Sequence, residues 1–302
     1  MKQLVMMVMA VFLLASCQET PKGYVINGVV ENMPDGKIYL KTFRNKMFFD
    51  VDTADIKDGK FTFKGEVSQP LLYGLATEDM NYPVQLFVEN TNMDVTLGND
   101  GETIIVQNSP VNTIFQENQS KVFEKGFDID SLISKYPDSP AAAFYLYRYF
   151  TYQLPLDQLK ATRAKIAPTL ADCPYVKDLD GIIGQLENVQ IGKTAPEFSL
   201  PDTAGVAVSL SDFRGKYVLL DFWASWCPAC GRDMPMVKAI YDKYNTKIQV
   251  VGVSFDTDEA KMKKYLGDNQ YTWLQYCEFK KWKETKISKD YHISWIPTSY
   301  LI

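Results

Sequence analysis

Between residues 217 and 255 the chain admits few folds. Tyr217 to Phe222 and Ile248 to Phe255 are nearly continuous apolar runs, the pattern of parallel strands covered on both faces. Between them Met234, Val237, Ile240, Tyr241 and Tyr244 recur at helical spacing. Strand, helix and strand over about forty residues make a right-handed βαβ crossover. The first strand-to-helix junction carries Cys227-Pro228-Ala229-Cys230. A helix start offers unpaired N–H groups and the positive end of its dipole, and both favour thiolate over thiol. Such placement lowers a cysteine pKa from about 8.5 to roughly 3.5–7.5. Cys230 is near enough to close a small disulfide ring. The pair reads as a redox site whose working group is the Cys227–Cys230 disulfide, with no separate cofactor and no metal.

The start of the chain reads as an export signal. Lys2 supplies a positive charge, and Leu4 to Ala15 form an apolar run well short of the about 20 residues a membrane helix needs. It ends in Leu14-Ala15-Ser16-Cys17, which resembles the lipobox of bacterial lipoproteins. Residues 1–17 are therefore expected to be a signal peptide with lipid attachment at Cys17. The net charge of −5 and the absence of a basic stripe argue against nucleic acid. The single histidine, His292, excludes multi-histidine metal sites and reads as a surface residue.

Residues 18–108 read as a small antiparallel β-sandwich. Tyr24 to Val30, Lys37 to Thr42, Lys60 to Gly65, Leu71 to Ala76, Val84 to Glu89 and Met93 to Leu97 are strand-like, with turn residues between them. Asp50, Asp52, Asp55 and Asp58 lack EF-hand spacing and read as a solvated loop. Residues 109–190 read as a helical linker, with Pro110 and Pro140 in first turns and Ser139 as an N-cap. Phe144, Tyr145, Tyr147, Tyr149, Phe150 and Tyr152 are expected to pack between helices or against the β domain. Cys173 reads as a buried thiol and Cys277 as a spectator. Asp256 and Asp258 are expected to start the next helix as caps.

A lone CxxC also fits half a zinc site. Here further segments accompany it in order: Ala195-Pro196-Glu197-Phe198-Ser199-Leu200, then Leu210-Ser211-Asp212-Phe213-Arg214-Gly215-Lys216. Asp221 and Trp223-Ala224-Ser225-Trp226 precede the pair, and Pro235 and Trp295-Ile296-Pro297-Thr298 follow it. Together they resemble the thioredoxin superfamily, and more closely its envelope-facing oxidoreductases of the TlpA/ResA type. The resemblance implies an α/β thioredoxin-like fold over residues 191–302. That family continues into a further strand and a closing helix, so the domain is expected to be C-terminally truncated.

The resemblance also assigns roles. Cys227 would attack a partner's disulfide and Cys230 would resolve the mixed disulfide. Asp221 would exchange a proton with Cys230. Pro297, if cis, would face the sulfurs and present the backbone of Ile296 to a client, while Trp226, Pro228 and Ala229 would shape the docking surface. The implied protein is a lipid-anchored reductase of the cell envelope, acting on disulfide-containing envelope proteins and fed by a membrane-bound electron donor. Two other readings stay open. One is a thiol peroxidase, although the segment before Cys227 lacks that class's Pro-x-x-x-Thr-x-x-Cys pattern. The other is a non-enzymatic binding lipoprotein.

Overall fold

Alternation in the first strand shows why the N-terminal segment builds sheets. In β1, Tyr24–Val30, the residues Tyr24, Ile26, Gly28 and Val30 point inward and those between them are more exposed, as a half-buried strand requires. Gly28 is needed because a Cβ there would sit 1.9 Å from the ring of Phe61. The computed structural model describes residues 22–44, 47–98, 100–201 and 206–302. The signal segment 1–17, with Cys17, lies outside the described residues. Among the described residues, no helix is long and apolar enough to cross a membrane.

The remaining strands of this segment are β2 Gly36–Arg44, β3 Met47–Ile56, β4 Lys60–Gly65, β5 Leu71–Thr77, β6 Val84–Val88, β7 Asn92–Leu97 and β8 Ile104–Gln107. They form two four-stranded sheets, ordered β4-β1-β7-β8 and β3-β2-β5-β6. All pairings are antiparallel except that of β1 with β7. Ile26, Phe63 and Val95 of one sheet share a core with Leu40, Leu75 and Leu86 of the other, which makes a sandwich.

Strand β3 corrects the sequence reading. Asp50, Asp52 and Asp55 lie on it rather than in a loop, and Asp58 sits in the following turn with φ 49°. β3 is an edge strand with little buried surface, and its register shifts opposite Leu40/Lys41. A charged edge strand broken by a bulge shows no apolar alternation. Asp50 forms an ion pair with Lys41.

The chain divides into two units. One takes the described residues up to Phe150 together with Ala164–Val176; the other takes Thr151–Arg163 and Lys177–Ile302. The helical stretch is thus shared between them. In the first unit, α1 Pro110–Asn118, α2 Ile129–Lys135 and α3 Pro140–Tyr145 are capped by Ser109, Asp128 and Ser139. Phe144 packs against Phe87, Phe115 and Tyr175 at ring-centroid distances of 6.0, 6.3 and 5.1 Å. From Phe144 to Phe150 the aromatic run packs within this unit, whereas Tyr152 is 43% exposed and lies in the second unit; Cys173 is buried.

The second unit holds α4 Leu156–Arg163, most of α5 Pro174–Asn188, and the hairpin β9 Ser199–Pro201 with β10 Ala207–Ser209. It continues through β11 Tyr217–Trp223, α6 Pro228–Tyr244, β12 Ile248–Ser254, α7 Glu259–Asp268, β13 Leu274–Cys277, α8 Lys286–Asp290 and β14 Thr298–Leu301. The sheet order is β13-β12-β11-β14, with β14 antiparallel and the rest parallel. Leu219 and Trp223 of β11 face one core with Cys230, Met234 and Met262. Val218, Leu220 and Phe222 face the opposite core with Phe198, Ile287 and Tyr291. Covering on both faces explains the unbroken apolar runs of β11 and β12.

Candidate active site

Strand β11 delivers the chain to a three-residue loop, Ala224 to Trp226, and then to the helix start. Cys227 is the N-cap of α6, with extended backbone (φ −93°, ψ 107°), and Pro228 occupies the first turn. Proline suits that place because its missing N–H would have no helical partner anyway. The Cys227 sulfur accepts a hydrogen bond from the backbone N–H of Cys230 at 3.1 Å, the service that Ser or Asp commonly gives at an N-cap. The two cysteines are joined as a disulfide, with Cα atoms 5.3 Å apart. Cys227 is 7% exposed and Cys230 1%, so the first sulfur is the one a partner can reach. Trp226 is 58% exposed beside it; Pro228 is exposed and Ala229 half-buried.

The second wall comes from the far end of the chain. Pairing of β14 with β11 sets Thr298 opposite Phe222, and this brings the preceding residues to the cysteines. The Ile296–Pro297 peptide bond is cis. The carbonyl oxygen of Ile296 lies 3.8 Å from the Cys227 sulfur. The Thr298 hydroxyl donates to the carbonyl of Trp295 at 2.9 Å and closes the turn.

Asp221 is buried, at 3% exposure. It lies between Leu219 and Trp223, so the period of two turns its side chain to the face carrying Cys230. Burial drives its carboxyl up to about 6; the hydrogen bond from Ser299 opposes this, and Asp233 of α6 reinforces it. Ser299 Oγ donates to Asp221 Oδ1 at 2.7 Å. Ser299 was not visible as a partner in the sequence, because cross-strand register places it there.

Asp258 caps α7, but Asp256 does not. Asp256 is buried, and its carboxylate accepts from Ser225 N–H at 2.9 Å, Ser225 Oγ at 2.6 Å and Ser254 Oγ at 2.7 Å. It fastens the loop two residues before Cys227. His292 is half-buried rather than on the surface, and burial lowers its pKa. Cys277 is buried, its S–H donating to the Asp256 carbonyl at 3.1 Å. Trp223 donates its indole N–H to Gln275 at 2.9 Å, over Gly252, where a Cβ would sit 2.1 Å from that amide oxygen.

Comparison with known proteins bears on this geometry. Over 123 residues the chain is 33% identical to the thiol-disulfide oxidoreductase ResA of Bacillus cereus, covering 40% of this chain and 69% of ResA. The chain belongs to the ResA-type thiol-disulfide oxidoreductases of the thioredoxin superfamily. The thioredoxin-like protein YneN of Bacillus subtilis is 35% identical over 117 residues, covering 38% of this chain and 66% of YneN. The AhpC/TSA family matches residues 191–302 of this oxidoreductase, and a domain of unknown function (DUF4369) matches residues 24–115. A solved thiol-disulfide oxidoreductase from Bacteroides fragilis is 34% identical, covering 36% of this chain and 82% of its own, with a TM-score of 0.33.

Proposed function

We propose that this oxidoreductase is a lipid-anchored reductase of the cell envelope that opens disulfides in exported proteins. The observation that carries the reading is Cys227 at the start of α6, its sulfur held by the Cys230 N–H and facing the Ile296 carbonyl. The sequence Leu14-Ala15-Ser16-Cys17 after an apolar run supports export and lipid attachment. A reactive dithiol in an oxidising space stays reduced only if it is kept cycling, so a membrane-bound dithiol donor is part of the proposal.

Reduced Cys227 attacks one sulfur of the client disulfide as thiolate, and the other client sulfur leaves as a thiolate. Asp221 takes the Cys230 proton. Cys230 then attacks the Cys227 sulfur, releasing the second client thiolate and forming the Cys227–Cys230 disulfide. The client gains two electrons, the active site loses two, and the donor restores them. Ile296 and Pro297 offer the backbone edge along which an extended client segment lies.

Peroxidase chemistry fits less well. The positions that would carry the proline and threonine of its Pro-x-x-x-Thr-x-x-Cys pocket are Leu220 and Ala224, both buried.

The direction of electron flow is tested by equilibrating the protein with glutathione buffers. Potentials of such dithiols run from about −270 mV to about −120 mV, a span of roughly 7 kcal/mol. A reductase is expected near the lower figure. A value near the upper one would make the protein an oxidant of its clients instead.

A further inference from the structure

The residues before the cis-proline are held by a side chain outside the 191–302 region that the AhpC/TSA family matches. Tyr152 precedes α4 in the second unit. Its hydroxyl and that of Ser294 share a hydrogen bond of 2.7 Å. Its ring meets Trp295 edge-on, with centroids 4.8 Å apart and planes at 88°, an arrangement the ring quadrupoles favour. It also stacks on His292 at 5.7 Å. His292 is itself in the left-handed backbone region, φ 50°, and its Nδ1 is hydrogen-bonded to Gln185 of α5.

Three of the four residues leading into Ile296 therefore touch one tyrosine. Ile293 is buried in the core and its backbone is hydrogen-bonded to Ser288 and Trp282, but Ser294 is exposed and Trp295 is 51% exposed, so these two residues have little core burial of their own to fix them. Yet the next residue supplies the carbonyl that stands 3.8 Å from the Cys227 sulfur. An extended client segment pairs with that backbone edge before its sulfur reaches Cys227. A small disulfide has no backbone to pair and needs only the sulfur.

We propose that Tyr152 is a positioning residue for exchange with protein disulfides: it presets Ser294 and Trp295 so that the Ile296 edge is ready for the client chain. This deepens the reductase reading and rests on it. Tyr152 touches no reacting atom, so its removal should weaken client capture and spare the chemistry.

The test uses the full chain with dithiothreitol as reductant and two substrates, insulin and hydroxyethyl disulfide. Tyr152→Ala should raise KM for insulin about tenfold, while kcat and the small-disulfide rate stay within about twofold of wild type. Tyr152→Phe keeps the ring and loses the hydrogen bond, and Ser294→Ala removes the same bond from the other side. Both should raise the insulin KM by a smaller, equal factor. An unchanged insulin KM in all three variants would overturn the positioning role. So would an equal loss on both substrates, which marks general damage to the fold. Should Tyr152→Ala fail to fold, the Phe and Ser294 variants decide alone. A wild-type protein that reduces neither substrate would overturn the underlying reductase reading, a failure distinct from loss of the insulin-specific effect.

Discussion

Replacing Cys227 with serine should stop dithiothreitol-driven insulin reduction, with a fall on the order of 10³-fold or more, because a serine hydroxyl is not ionised near neutral pH. Replacing Cys230 has a different consequence. On the roles proposed above, Cys230→Ser leaves the attacking sulfur intact and removes the one that resolves the mixed disulfide, so clients should accumulate as adducts on Cys227 that thiol reagents release. The asymmetry follows from burial: Cys230 at 1% exposure lies behind Cys227 in the core with Met234 and Trp223. Mass spectrometry of adducts from envelope extracts checks both variants. Adducts on Cys230 in the Cys227 variant, or none in the Cys230 variant, would reverse or remove the assigned roles.

The second large effect concerns Asp221. In the folded protein burial raises its carboxyl from 3.8 to about 6, against the opposing hydrogen bond from Ser299. An unfolded chain releases that proton near its ordinary value. Between the two values the folded state holds more protons than the unfolded one, so stability falls as pH rises. The contribution is complete below about pH 4 and gone above about pH 7, a loss of roughly 3 kcal/mol at about 1.36 kcal/mol per pK unit. Asp221→Asn does not ionise. Denaturant unfolding should therefore find the variant and wild type similar at low pH and the variant more stable at pH 8.

Activity should move the other way. Without a carboxylate to take the Cys230 proton, resolution of the mixed disulfide slows by about 100-fold, the scale of general-base assistance. The pH–rate profile also loses its inflection near 6. A variant less stable at every pH, with an unaltered profile, would show Asp221 to be structural only.

Much of the second unit could be read from residue pattern alone. The apolar runs of β11 and β12 are long because α6 and α7 cover one face and α8 with Phe198 covers the other. The cysteine pair was legible because strand, proline and helix are all local. Strand β3 was hidden by its exposed, charged edge position. Partners that depend on cross-strand register were hidden too: Ser299 for Asp221, Gln275 for Trp223. Asp256 looked like a cap because aspartate before a helix usually is one; two of its three hydrogen bonds join segments 31 residues apart. Tyr152 belonged to an aromatic run whose other members pack in the first unit's core, and nothing in its neighbourhood sets it apart.

The central claim is that Cys227, as the N-cap of α6, is more acidic than an ordinary thiol and has Cys230 in bonding range. Alkylation of the reduced protein by iodoacetamide, followed against pH and mapped to residues, tests this most directly. Modification of Cys227 should rise with a midpoint at least about one unit below the 8.5 of free cysteine, and prior oxidation should block it through the Cys227–Cys230 bond. A midpoint equal to that of free cysteine, with no protection on oxidation, would contradict the assignment.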